Sequence, residues 1–337
     1  MVRGGRVLAV FSALVFAGTA AVRAQSTALP PDVAKAESLY NSGSYREAIA
    51  VLDKYLVAHP NDARALVDRG DDYEALGQQR SAIADYTAAL AVNPQYAYAY
   101  ASRCESLDEI SQDEAAIKDC SRAIELNPKL AYAYRERALV EIDNGAGQAA
   151  LTDAQSAMAL EPNEPASLRV RCEAFVAVGR YDDAIKDCTA ALAIEPDSEG
   201  AHFARGRAEI FEKRWSPAME DFADVLRIDP KETGADYWIG YAQLNAGSYE
   251  AGLAAIDKYI GDNADDGDGY LVRAQIQAKL GKIDDARSSA TDAMRHYRIA
   301  NDQAGIAKAQ SLLDALNAPS PAPAGSPLPV GSPLPPS

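Results

Sequence analysis

Prolines recur at one constant spacing along most of this 337-residue chain. The interval is 34 residues, and the prolines are Pro60, Pro94, Pro128, Pro162, Pro196 and Pro230. A fixed period of this length indicates stacked copies of one supersecondary unit, each of which buries its apolar face against the next. We therefore divide the chain into eight windows, with the proline at position 32, that begin at residues 29, 63, 97, 131, 165, 199, 233 and 267.

Each window carries the pattern of two helices joined by a short turn. In the segment 45–56 the apolar residues follow helical spacing and form one stripe. A glycine interrupts the pattern at position 15 in six windows, and the proline prevents the second helix from continuing. Small residues recur at positions 8, 20 and 27, where they let the two helices approach closely. The pattern predicts a row of helical hairpins.

This unit resembles the tetratricopeptide repeat family, which has small residues at positions 8, 20 and 27, proline at 32 and often an aromatic residue at 17. The resemblance covers residues 29–298. It implies an all-α fold, a right-handed superhelical solenoid of eight 34-residue helix-turn-helix repeats. We expect a C-terminal capping helix over residues 299–317 to cover the last repeat, because an apolar stripe continues there through Ile306, Leu312, Leu313 and Leu316.

The two ends of the chain differ in composition from the windows. Residues 1–24 combine a basic start, an apolar run over 7–21 and small residues before Gln25, which is typical of a secretory signal peptide. The apolar run is too short to span a bilayer comfortably, so we favour cleavage over an uncleaved anchor. Residues 318–337 are rich in proline and predict a disordered tail. We therefore expect an exported protein, periplasmic in the first instance, with secretion as the alternative.

The chain is strongly acidic, with a net charge of −16. The predicted signal peptide contains three arginines and no acid, so its removal makes the chain more acidic still. This charge argues against nucleic acid and anionic membrane surfaces as partners, because both repel an acidic protein. No later segment is apolar enough to span a membrane. The composition favours a protein or peptide partner, and a partner with a basic segment would suit it.

No motif in the sequence indicates catalysis, a cofactor or a metal. The histidines His59, His202 and His296 lie outside any metal-binding or catalytic-triad signature. The acidic segment 262–269 resembles the start of a calcium loop, but Ala264 and the later Arg273 occupy positions where such a loop needs oxygen ligands. We therefore predict that the protein is not an enzyme, and we assign it no catalytic residues, no cofactor and no metal site.

Two charged columns run through windows 2–6. Arginine holds position 7 and aspartate holds position 23, in the pairs Arg69/Asp85, Arg103/Asp119, Arg137/Asp153, Arg171/Asp187 and Arg205/Asp221. Windows 1 and 7 lack both residues, and this co-occurrence predicts an ion pair between the two helices of each repeat. The alternative is a charged stripe for a ligand. Each exposed pair of this kind contributes only ~0–1 kcal/mol.

All four cysteines lie in windows 3 and 5, at positions 8 and 24. If positions 7 and 23 meet across the hairpin, positions 8 and 24 lie at a similar height on the two helices. In an exported protein this placement favours the disulfides Cys104–Cys120 and Cys172–Cys188. The alternative is two pairs of free, buried cysteines that act as small apolar core residues.

The family resemblance implies that positions 2, 5, 9, 12 and 13 of the first helices line the concave face of the solenoid. At these positions windows 1–3 carry an acidic group, Glu37, Asp71, Glu74, Glu105, Asp108 and Glu109. Later windows carry a basic group, Arg135, Arg169 and Arg207, and an aromatic group, Phe203, Phe211, Tyr237 and Tyr241. The alternative is an ordinary solvated surface, with several of the aromatic residues in the core.

Together these features predict an exported, non-enzymatic adaptor that binds a protein segment in the groove on its first helices. A preformed surface suits an extended peptide, because the receptor loses little conformational entropy on binding. Two other functions are compatible with the sequence. One is a structural or assembly factor of the cell envelope, and the other is an accessory subunit of a polysaccharide or peptidoglycan enzyme.

Overall fold

The structure, a computed structural model, describes residues 29–318; the predicted signal peptide and nearly all of the predicted tail lie outside this range. The regular structure of the described residues is entirely helical and comprises 17 helices. The all-α repeat fold predicted from the sequence is therefore confirmed. The helices group into two compact units, of which the first ends at Ala246 and the second begins at Gly247.

The first unit contains thirteen helices that pack in the order of the chain. Each odd-numbered helix from α1 to α11 pairs with the next helix as a hairpin, and each hairpin packs on its neighbours. The bounds are α1 (Pro31–Asn41), α2 (Tyr45–Ala58), α3 (Ala63–Ala75), α4 (Gln79–Val92), α5 (Ala97–Glu109), α6 (Asp113–Leu126), α7 (Ala131–Asp143), α8 (Gly147–Leu160), α9 (Pro165–Ala177), α10 (Tyr181–Ile194), α11 (Glu199–Phe211), α12 (Trp215–Ile228) and α13 (Thr233–Ala246).

The second unit contains α14 (Tyr249–Asp262), α15 (Gly267–Lys279), α16 (Ile283–Ile299) and α17 (Gln303–Asn317). The last of these lies where the sequence predicts a capping helix, and it packs against α15 and α16. Its Ile306, Leu312 and Leu313 contact a buried cluster that includes Met294 and Tyr297. This helix shields the apolar surface that α15 and α16 would otherwise expose to water.

The turn between the two helices of a window has one backbone conformation throughout. Position 15 is left-handed in all eight windows, with φ between 70° and 85° where it is a glycine. Windows 3 and 6 have Ser111 and Lys213 there, and both adopt the same conformation with φ of 59°. A side chain in this region costs about 1–2 kcal/mol. The packing of the hairpin therefore imposes the turn even where the residue does not favour it.

Positions 8 and 24 are buried in each hairpin of the first unit, and in windows 2, 3, 5 and 6 the two residues meet. In windows 2 and 6 a glycine faces a fully buried aromatic ring, as Gly70 with Tyr86 and Gly206 with Phe222. A Cβ atom on Gly70 would lie 2.5 Å from Cε1 of Tyr86, and one on Gly206 would lie 3.0 Å from Cζ of Phe222. The glycine is thus required by the ring that fills its space.

Windows 3 and 5 fill the same space with sulfur. Cys104 and Cys120 are joined as a disulfide with their Cα atoms 5.5 Å apart, and Cys172 and Cys188 are joined in the same way at 5.6 Å. All four side chains are fully buried. A disulfide and a glycine–aromatic pair are therefore two ways of filling one crossing between helices. This explains why the cysteines come in matched pairs and only in windows without the aromatic residue.

The predicted ladder of ion pairs is confirmed. In each of windows 2–6 the arginine Nε and Nη2 atoms donate to the two oxygens of the aspartate, at distances between 2.6 and 3.0 Å. The aspartate side chains are only 4–10% exposed. These pairs are thus not fully exposed, and removal of an arginine would leave a buried carboxylate without its charge partner.

Candidate binding surface

We use the term first-helix surface for the side chains at positions 2, 5, 9, 12 and 13 of α1, α3, α5, α7, α9, α11 and α13. All thirteen residues that the sequence places in the candidate groove lie on these helices. The structure holds many of them in hydrogen bonds and ion pairs with the rest of the first unit. Their surroundings therefore differ from those of an open row of solvated side chains.

The acidic group begins with a contact between the first two hairpins. Glu37 on α1 pairs with Arg64 on α3 at 3.5 Å, and Arg64 also binds Asp68 with its Nε atom at 2.9 Å. Asp71 on α3 is buried, with 3% of its surface exposed. It accepts a hydrogen bond of 2.9 Å from the hydroxyl of Tyr86.

Glu74 and Glu105 form the centre of the acidic group. Ser106 donates to Glu74 at 2.6 Å, and the hydroxyl of Tyr132 donates to Glu105. Burial raises the pKa of Glu74 well above its usual range, and the carboxyl of Glu105 raises it further. Burial likewise raises the pKa of Glu105, with Glu136 as the next cause. Ionisation of one of these carboxyls therefore disfavours ionisation of its neighbour.

Tyrosine hydroxyls bind these acids across neighbouring windows. Tyr98 on α5 donates to Asp71 on α3 at 3.3 Å, and Tyr132 on α7 reaches Glu105 on α5. Tyr98 and Tyr132 both occupy position 2, within two copies of the tetrapeptide Ala-Tyr-Ala-Tyr. Sequence reasoning assigned this position to the groove but overlooked the tyrosines. The repeated tetrapeptide was the signal that could have identified them.

Asp108 and Glu109 lie at the end of α5, in the last turn of the helix. Asp108 is buried, whereas Glu109 is partly exposed. The acidic group thus includes two buried carboxylates, Asp71 and Asp108, that the sequence pattern alone would have left in solvent.

The arginines do not form a patch of uncompensated charge. Arg135 is buried and pairs with Glu161, and its Nη1 atom also donates to Ser167 at 3.2 Å. Arg169 pairs with Glu173, one turn further along α9. The expected basic patch between the acidic and aromatic groups is therefore largely neutralised.

Arg207 on α11 differs from the other two arginines. Its Nε atom is buried without a hydrogen-bond partner, and burial lowers the pKa of this guanidinium, although Glu173 opposes the effect. The positive charge of Arg207 is thus less well compensated than that of Arg135 or Arg169.

The aromatic group is divided between core and surface. Phe203 packs edge-to-face on Phe222, with ring centroids 5.6 Å apart, and Tyr237 is buried. Phe211 is 47% exposed and stacks on Tyr181 at 4.8 Å. The alternative reading, in which several aromatic residues belong to the core, therefore holds for Phe203 and Tyr237.

Tyr241 completes the aromatic group on α13. Its ring lies 5.9 Å from that of Trp238, which also meets Phe211 at 6.4 Å. Tyr181 and Trp238 were absent from the predicted set, because neither occupies one of the five groove positions. Tyr181 lies on α10, the second helix of window 5, and Trp238 lies on α13.

Family profiles match most of the windows. Profiles described as tetratricopeptide repeat match residues 33–77 and 237–305, and a second version matches residues 63–96. A profile described as the ETO1 C-terminal domain matches residues 95–208. No curated protein sequence shows a significant match to this chain.

Solved structures of low sequence identity share the fold. The APC/C hetero-tetramer Cut9–Hcn1 superposes with a TM-score of 0.70 at 13% identity over 85% of this chain and 55% of that one. This chain therefore spans little more than half the length of that structure. A tetratricopeptide repeat protein from Parabacteroides merdae gives a TM-score of 0.54 at 16% identity over 75% of this chain and 98% of that one. PilF from Pseudomonas aeruginosa gives 0.52 at 16% identity over 64% and 96%. At these identities the likeness concerns the superhelical repeat fold alone.

Within residues 29–318, each helix is too short or too polar to cross a bilayer.

Proposed function

The chain belongs to the tetratricopeptide repeat proteins, and from that premise we propose that it is a non-enzymatic scaffold that binds a segment of a partner protein along its first-helix surface. Stacked helical repeats present long, preformed surfaces of this kind. An extended segment can bind such a surface without a large loss of conformational entropy in the receptor. We further propose that the bound segment is basic and contacts the acidic group on α3 and α5.

The crowding of carboxyls around Glu74 and Glu105 is the observation that supports a basic segment. Burial raises the pKa of both Glu74 and Glu105; the carboxyl of Glu105 adds to the rise at Glu74, and that of Glu136 adds to the rise at Glu105. A lysine or arginine side chain placed beside them would favour their ionised forms, because an opposite charge nearby lowers the pKa of a carboxyl. Binding of a basic segment would then release protons.

We also propose that the protein works outside the cytoplasm. The support comes from the sequence of residues 1–24, which lie outside the described residues. Cleavage would leave Gln25 as the first residue. Intact-mass measurement of protein recovered from the periplasm or medium should give the mass of a chain that begins at Gln25. Retention of Met1 would contradict export by this route.

The binding proposal can be tested with two labelled peptides that are identical except for lysine in one and glutamine in the other. The lysine peptide should bind more tightly to the chain that begins at Gln25. A triple variant, Glu105→Gln, Asp108→Asn and Glu109→Gln, should weaken this binding. Fluorescence anisotropy at ~0.05 M and ~0.5 M salt should show that the difference shrinks at high salt, because salt screens the attraction between the lysines of the peptide and the acidic group.

A matched control removes the same charge from second helices. Glu47, Glu114 and Glu220 are exposed residues of α2, α6 and α12, and their replacement by glutamine should leave the dissociation constant unchanged. Thermal melts should accompany both triple variants, because Asp108 is buried. An unchanged dissociation constant for the first triple variant at low salt would place the binding of a basic segment elsewhere.

A further inference from the structure

Window 6 brings a histidine and two aspartates together in one hairpin. His202 lies on α11, and Asp221 and Asp224 lie on α12. One nitrogen of the histidine and one oxygen of each aspartate all lie within 4.8 Å of one another. His202 and Asp221 are buried, at 6% and 3% exposure, whereas the side chain of Asp224 is 41% exposed. The cluster is therefore enclosed on one side and open to solvent on the other.

The orientation of the imidazole is set by a backbone carbonyl. Nε2 of His202 lies 3.0 Å from the carbonyl oxygen of Pro196, so this nitrogen carries a proton and donates to that oxygen. Nδ1 faces the two aspartates, at 2.8 Å from Oδ1 of Asp221 and 4.0 Å from Oδ2 of Asp224. Histidines that bind metals are commonly held in this way, with the second ring nitrogen donating to a carbonyl. The 2.8 Å between Nδ1 and Oδ1 of Asp221 is a hydrogen-bond distance that a proton fills as the atoms stand, and a metal ion fits once the two atoms separate by about 0.5 Å.

The other windows of the ladder have nothing equivalent. The aspartate at position 23 occurs in windows 2–6 with its arginine partner. Position 4 is Leu66, Tyr100, Tyr134 and Leu168 in windows 2–5, and position 26 is Ala88, Arg122, Ser156 and Ala190. Only window 6 has a histidine at position 4, and it is also the only one of these windows with an acid at position 26. Since four windows form the ladder without these two residues, the ladder does not require them.

Both aspartates keep oxygen atoms that can bind a metal ion, although arginines bind each of them. Arg205 donates to both oxygens of Asp221, and Arg227 binds Oδ1 of Asp224 at 3.0 Å. A carboxylate has about four lone-pair sites, so Oδ1 of Asp221 can accept a further partner and Oδ2 of Asp224 remains available. Arg227 also binds Asp197 at 2.8 Å. Arg227 is thus shared between two carboxylates and does not neutralise Asp224 alone.

We propose that His202, Asp221 and Asp224 form a binding site for a divalent transition-metal ion, for which Zn²⁺ is the best match. Zinc binds imidazole nitrogen and carboxylate oxygen in a tetrahedral arrangement, and water would occupy the fourth position. The exposed side chain of Asp224 closes the site by moving towards Nδ1. The ion joins α11 to α12 and holds the imidazole against the end of window 5. This site is independent of the first-helix surface and stabilises the hairpin of window 6.

The test uses the purified protein with its disulfides intact, freed of metal with EDTA and then dialysed. Titration with ZnCl₂ at about pH 7.5 by isothermal calorimetry should show a single class of site, and a melt with Zn²⁺ should have a higher midpoint, because a ligand of the folded state stabilises it. Asp224→Asn should weaken Zn²⁺ binding by at least about tenfold and abolish most of the rise in the midpoint. His202→Gln should weaken binding at least as much.

Asp197→Asn is the matched control, because this exposed acid shares Arg227 with Asp224 but offers no atom to the cluster. It should leave Zn²⁺ binding within about twofold of the unmodified protein, since it removes only a distant charge. Asp224→Asn keeps the test decisive if His202→Gln fails to fold, because the Asp224 side chain is partly exposed. The absence of Zn²⁺ binding at micromolar concentrations would overturn the proposal. Equal binding by the Asp224→Asn variant would overturn it as well.

Discussion

At the scale of single residues, burial decides which acidic side chains carry a charge. Glu199 is the first residue of α11, and the helix N-terminus there favours a carboxylate by about 0.3–1 kcal/mol. Its Oε1 atom is nevertheless buried without a hydrogen-bond partner. Burial, followed by the nearby Asp229 and Glu232, raises the pKa of Glu199 to about 7. Desolvation and like charges therefore outweigh the helix terminus at this position.

The variant Glu199→Gln tests this balance. The folded chain binds a proton at Glu199 up to about pH 7, whereas the unfolded chain loses it near the ordinary value of 4.5. The stability that this proton provides is therefore complete below about pH 4.5 and is lost as the pH rises through 7. At about pH 8 the variant should be more stable than the unmodified protein by about 1 kcal/mol, a figure reduced for the partial exposure of the side chain.

Urea denaturation at about pH 4.5 and pH 8 would measure this difference. The gain should vanish at the lower pH. Glu212→Gln is the matched control, because Glu212 is exposed at the opposite end of the same helix. A gain of equal size at both pH values would show that the effect does not come from titration of Glu199.

At the scale of elements, the arginine–aspartate ladder fixes the register of the two helices in a hairpin. Both oxygens of Asp153 accept hydrogen bonds from Arg137, at 2.6 and 2.9 Å. The carboxylate is 7% exposed and the guanidinium side chain 23% exposed. A slip of either helix by one residue would separate the pair and leave the aspartate without a partner in the interior.

A double-mutant cycle on Arg137→Ala and Asp153→Ala should therefore give a large coupling. Arg137→Ala should cost about 2–4 kcal/mol, because it leaves a buried carboxylate unpaired. The double variant should recover part of this loss, with a coupling energy of about 1–3 kcal/mol. The same cycle on the exposed pair Arg122 and Glu125 should give less than about 0.5 kcal/mol. Additive effects at Arg137 and Asp153 would contradict their role as partners.

At the scale of the whole molecule, each repeat of the first unit depends chiefly on its neighbours. Stability in such a fold is the sum of local contributions along the chain, so a local change weakens one region and not the whole. The two disulfides are local in this sense, because each joins the helices of a single hairpin at a sequence separation of 16. A bridge that closes a loop of this length stabilises by about 3 kcal/mol in the chain-entropy model.

Peptide mapping of the purified protein without reduction should find Cys104 linked to Cys120 and Cys172 linked to Cys188. Reduction should then accelerate amide hydrogen exchange in α5, α6, α9 and α10 and in the helices beside them. Exchange in α1 and α2, and in α15 and α16 of the second unit, should not change. Four freely alkylated cysteines in the unfolded, unreduced protein would contradict the bridges, and a uniform increase in exchange would contradict their local effect.

Much of the fold could be predicted because its determinants are local in the sequence. Proline at position 32 ends each second helix within its own window, and the spacing of the apolar residues sets the period. The ladder was also predictable, because Arg137 and Asp153 recur together at the same positions in five windows. The left-handed turns at Ser111 and Lys213 were not, since neither residue favours that conformation.

The sequence by itself therefore determined the repeat, the hairpin and the contacts within a hairpin. Only the tertiary structure decided which acids are buried and what they bind, as with Asp71 and Tyr98, which belong to different windows and are 27 residues apart. The same holds for His202 and Asp224, which share window 6 but have no counterpart in the other windows of the ladder, so the period does not predict their contact. Contacts that recur in every window follow the period and can be read from it. Contacts between windows depend on how the hairpins stack, and the pKa of a buried acid depends on every group that the stacking brings close to it.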